Sequence, residues 1–111
     1  MKWLLLIPMV AFVTPISRND QERQSGKDRA TCILQVRNVQ QAVRSYQNMN
    51  GIDIGAKIDW NEIFGPNRFL ENRPACPGGG TYTFSEIFPK VGSLACACSI
   101  RGHQPDNFND W

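Results

Sequence analysis

The sequence predicts an α+β fold: an N-terminal amphipathic helix packed on a small antiparallel sheet, with a short second helix. Three observations predict it. Apolar residues recur at helical spacing between Thr31 and Met49. Two later runs, Thr81 to Phe84 and Leu94 to Ile100, alternate with a period of two. Between helix and strands, Asp59-Trp60-Asn61-Glu62 has the spacing of a helix-opening capping box. At 111 residues the chain makes one small domain with a modest core, for which covalent staples weigh heavily.

Met1-Lys2 precedes an apolar run from Trp3 to Ile16, which Pro8 and Pro15 interrupt. A charge ahead of a short apolar stretch reads as an export signal. A short anchor is the rival, since the run falls below the about 20 residues of a spanning helix. Residues 1–16 are that segment, 17–29 a polar stem or linker, 30–103 the globular domain and 104–111 a polar tail. The stem is expected to be partly helical, with Gly26 as its weak point.

In the globular part, Cys32, Val36, Val39, Val43 and Tyr46 form one stripe, while Gln35, Arg37, Asn38, Gln40, Gln41, Arg44 and Gln47 fall outside it. The stripe is expected to cover the sheet face that carries Tyr82 and Phe84. Asn50-Gly51 is a C-cap signal. Asp59 is the expected N-cap of the short helix, with Glu62 reaching back, and Gly65-Pro66 ends it. Pro74-Ala75-Cys76-Pro77-Gly78-Gly79-Gly80 is a turn that feeds the first strand, because proline fixes φ and glycine permits close backbone approach. The loop from Ile87 to Ser93 closes the hairpin. The tail is expected to be mobile unless Phe108 and Trp111 dock.

Charge excludes one class of partner. The net charge is +2 with no basic block, which does not fit a nucleic-acid surface. Residues 1–31 hold five basic and three acidic side chains, and residues 32–111 hold seven of each, so the excess charge lies beside the apolar N-terminus. No Gly-x-Ser-x-Gly, Walker-type or His-Glu-x-x-His motif occurs. Gly78-Gly79-Gly80 leads into a strand, whereas a phosphate loop opens a helix. Asp59 and Glu62 are explained as a cap, and His103 is the only histidine. No catalytic residues, no cofactor and no enzymatic activity are expected.

The four cysteines converge on one side of the predicted fold. Cys96 and Cys98 share a face with Tyr82 and Phe84, Cys32 lies on the helix stripe, and Cys76 enters from the turn. Two disulfides are expected among them, and spacing alone leaves the connectivity open. The rival is a metal site from Cys76, Cys96, Cys98 and His103, since tetrahedral zinc takes cysteine and histidine. Against it, Cys96 and Cys98 are closer in sequence than zinc-ligand pairs usually are.

The chain from Ala30 to His103 resembles the globular part of type IV pilin-like proteins, including type II secretion pseudopilins. The resemblance rests on Cys32-Ile33-Leu34-Gln35-Val36-Arg37-Asn38, Asp59-Trp60, the run from Pro74 through Cys76, Pro77, Gly79, Gly80 and Tyr82 to Thr83, and Cys98-Ser99-Ile100-Arg101-Gly102-His103. The prepilin leader pattern is not among residues 1–16. The resemblance implies a pilin-like head, exported to the bacterial periplasm, cell envelope or exterior, that works without catalysis by presenting a surface. It implies a protein partner or self-assembly, with weak membrane anchoring through the N-terminal apolar segment. It also ranks Cys76–Cys98 with Cys32–Cys96 first among the pairings, because Cys98 matches the family's late cysteine. The alternative functions are a soluble secreted binding module on such a head and a small zinc-binding domain.

Overall fold

The structure, a computed structural model, describes residues 18–111. The expected export signal or anchor lies outside the described residues, and no helix among those described is long and apolar enough to cross a membrane.

One helix, α1, spans Arg18–Asn50, so stem and head helix are a single element of about 50 Å. Gly26 does not interrupt it. Its site is open, with nothing within 4 Å of where a Cβ would sit, so the glycine costs only the about 1 kcal/mol of its propensity. Arg29 ties this stretch to the far end of the chain, donating from Nε to the Gly102 carbonyl at 2.8 Å. The helix ends in a Schellman turn. Gly51 takes a φ of 61°, and the Ile52 N–H reaches the Gln47 carbonyl at 3.0 Å.

The sheet is a hairpin of β1 (Tyr82–Phe84) and β2 (Cys96–Cys98), paired antiparallel with Tyr82 opposite Cys98 and Phe84 opposite Cys96. Two strands this short are not stable alone. They hold because one face lies on α1. Val36, Val39, Ala42 and Val43 of the helix form the core with Ile58, Ile63, Phe64, Phe88, Ala95 and Cys96. Tyr46, Tyr82 and Phe84 pack at its margin, as the apolar stripe requires.

The rest is held by specific bonds. The short second helix is a single 3₁₀ turn, Trp60–Glu62. Asp59 caps it, accepting from the Asn61 N–H at 3.1 Å, but Glu62 does not reach back. It pairs with Arg68 at 3.0 Å instead. Trp60 donates from Nε1 to the Ser85 carbonyl at 2.8 Å and stacks on Phe64. The loop after β1 is pinned by buried Phe88, whose N–H and carbonyl bond Ala56 and Gly55.

Gln40 departs from its expected place on the wet face. It is 2% exposed, donates from Nε2 to the Ser93 and Trp111 carbonyls, and accepts from the Ala95 N–H at 2.7 Å. Arg44 joins it on the Trp111 oxygen through Nε at 3.1 Å and Nη2 at 2.9 Å. The C-terminal segment is therefore fastened to α1, with Trp111 against the core.

Candidate metal centre

A second buried cluster lies beyond the main core, where α1, the proline-rich turn and the end of the hairpin meet. It contains Cys32, Cys76 and Cys98, with Tyr82 and Ile100 packed against them. Cys32 is one helical turn before Val36, so the stripe that builds the core also aims this thiol at the hairpin. Cys76 opens a tight turn: the Gly79 N–H bonds the Cys76 carbonyl at 3.0 Å, and Gly79 has a φ of 88°. Cys98 stands on β2 opposite Tyr82. After it the chain turns at Ile100, with the His103 N–H on the Ile100 carbonyl at 3.1 Å, and delivers His103 back to the cluster, 7% exposed.

The three sulfurs and one imidazole nitrogen lie within 4.8 Å of one another. His103 Nδ1 is 3.5 Å from Cys76 Sγ and 4.0 Å from Cys98 Sγ. Zinc–sulfur bonds of about 2.3 Å and zinc–nitrogen bonds of about 2.0–2.1 Å put tetrahedral S and N ligands about 3.6 Å apart. The group is thus spaced around a point that one ion would fill.

This crowding requires glycine at position 80 and leaves little room at position 78. A Cβ on Gly80 would meet Cys98 Sγ at 2.7 Å and Ile100 Cγ1 at 2.8 Å, and one on Gly78 would meet His103 Cε1 at 3.2 Å. The glycine run therefore packs against the centre. Each sulfur also has a polar neighbour. The Tyr82 hydroxyl is 3.1 Å from Cys32 Sγ, the Ile100 N–H is 3.5 Å from Cys98 Sγ, and His103 Nδ1 is 3.5 Å from Cys76 Sγ.

These surroundings separate the thiols. Burial pushes Cys32 up to about 12, against the lowering effect of Tyr82. Burial also raises Cys76, but the N–H groups of Gly80 and Gly78, with His103 and Cys32, outweigh it and bring the thiol down to about 6. A cation takes cysteine as thiolate, so binding one here would draw protons from these thiols. Burial holds the Tyr82 phenol protonated, well above its usual range. On the solvent side, Gln24, Ser25, Asp28, Gly78 and Ile100 border a shallow groove of about 390 Å³ that reaches His103.

The disulfide expectation is overturned. All four cysteines are free thiols, and the disulfide-stapled head, with neither Cys76–Cys98 nor Cys32–Cys96, gives way to a site suited to a metal. The reason is strand geometry. Residues two apart on a strand share a face but stand about 6.7 Å apart along it. Cys98 reaches the outer cluster, whereas Cys96, opposite Phe84, enters the main core at 0% exposure. There burial pushes its thiol up to about 12, and it packs as a small apolar residue. The ligand set from sequence thus takes Cys96 where the fold places Cys32. Cys32 was hidden because its spacing to Val36 reads as core. Asp59, Trp60 and Glu62 lie outside the cluster, and Pro77 flanks it as an exposed turn residue.

What fold and site together define is a small α+β domain with a buried centre of three cysteines and one histidine. Comparison of the chain with known protein families, curated proteins and solved structures finds no match in any of the three, so the pilin-like resemblance gains no support there.

Proposed function

We propose that the chain is a small zinc-binding domain in which Cys32, Cys76, Cys98 and His103 hold one structural zinc ion. The observation that carries this reading is the convergence of four buried ligand atoms within 4.8 Å of one another. Thiolates with one imidazole are a zinc donor set. All four positions of a tetrahedron are supplied by the protein, so none is left for a substrate or an activated water, and the centre is structural rather than catalytic. Bound there, the ion supplies a crosslink among α1, the turn, β2 and the segment after it.

The test is metal analysis of the full chain purified without chelator. One zinc per chain is expected, and cobalt in its place should give the intense visible bands of tetrahedral thiolate coordination. Protein that is folded, metal-free and indifferent to added zinc would overturn the reading.

A further inference from the structure

At Tyr82 two acceptors compete for one proton. Its hydroxyl lies 3.1 Å from Cys32 Sγ and 2.5 Å from Gln35 Oε1, and a phenol has a single O–H to donate. A metal-bound cysteine is a thiolate and can only accept. The amide of Gln35 can turn over, presenting its NH2 to the phenol oxygen in the same space. The only arrangement that satisfies all three groups around a bound ion is a chain: the Gln35 amide donates to Tyr82, and Tyr82 donates to Cys32.

Location favours this role. Gln35 follows Cys32 by three residues on α1, so the two share a helix face. Tyr82 stands on β1 directly opposite Cys98, and its ring packs against both the main core and the cysteine cluster. It is therefore held by packing, with its hydroxyl delivered to the Cys32 sulfur, while Cys98 takes a backbone N–H from Ile100.

On the reading of the cluster as a zinc centre, we propose that Tyr82 is a positioning residue of that centre, with its O–H bonded to the Cys32 thiolate and Gln35 locking the hydroxyl. Hydrogen bonds to ligands orient them and tune the metal, and losing one typically costs 10–100-fold in metal affinity.

The experiment compares wild type, Tyr82→Phe and Gln35→Leu for zinc affinity, by competition with a chromophoric chelator, and for the cobalt-loaded absorption spectrum. Tyr82→Phe keeps the ring and removes only the donor. It should weaken zinc binding by about 10–100-fold and move the sulfur-to-cobalt charge-transfer band to lower energy, because the thiolate loses its hydrogen bond. Gln35→Leu leaves the Tyr82 proton free for Cys32 and should cause the smaller loss, with the band in place. The spectrum is read on loaded protein at excess cobalt, so a less stable variant still reports. Wild-type affinity in Tyr82→Phe, or weakened affinity with an unmoved band, would overturn the role of Tyr82 while leaving the zinc centre standing. A wild-type protein that binds neither metal would overturn both.

Discussion

Cys32 and Cys96 are both fully buried cysteines within a few residues of core valines or alanines, yet they have different fates. Cys32 meets two other sulfurs and an imidazole. Cys96 lies in the main apolar core. Substitution should separate them. Cys32→Ser removes one of four ligands, so zinc content should fall well below one per chain and thermal stability with it. Cys96→Ala trims a small buried group, costing about 1 kcal/mol, and should leave one zinc bound. Metal analysis and thermal melts of the two variants check this, and a zinc-free Cys96→Ala would mean the ligand set is wrong.

At the scale of elements, α1 works as a spine with three kinds of attachment. Its valines hold the hairpin, Cys32 joins the cluster, and Gln40 with Arg44 holds the last residues. Gln40 fills both donor positions and its acceptor position inside the protein. Gln40→Ala leaves the Ala95 N–H and the Ser93 carbonyl short of a partner, which costs about 1–3 kcal/mol for each buried group left unsatisfied. A loss of that order in chemical denaturation, with zinc content unchanged, is expected. A neutral result would mean that water replaces the amide. The stripe that predicts the apolar face of α1 is legible because burial of Val36, Val39 and Val43 follows helical period. Gln40 is not legible, because a glutamine beside the stripe reads as solvated until the strand that needs its amide is in place.

For the whole molecule, the balance between core and centre decides stability. The hairpin has strands of three residues each, and the buried core is of modest size. Structural zinc contributes about 10–16 kcal/mol apparent binding free energy in small finger peptides, comparable with the about 5–15 kcal/mol that holds a typical domain together. Removing the ion with a chelator should therefore lower the melting temperature steeply and loosen the hairpin. A thiol-free reductant should leave the zinc-loaded melt unchanged. Melting curves with each reagent distinguish a metal crosslink from a disulfide one, and a reductant-sensitive, chelator-insensitive melt would restore the staple.

By itself the sequence determined the local elements: an amphipathic helix over Thr31 to Met49, a capped turn at Asp59, a glycine-rich turn at Cys76 and two alternating strands. These depend on period, capping and backbone freedom, which act within a few residues. It also offered Cys76, Cys96, Cys98 and His103 as a ligand set, the rival to the disulfides it favoured, because residue type alone suggests zinc donors. Only the tertiary structure decided that Cys32 belongs in that set and Cys96 does not. That choice turns on how far along the hairpin the helix docks. The docking is set by the packing of Val36, Val39 and Val43 against residues distant in sequence, and short-range pattern carries no record of it.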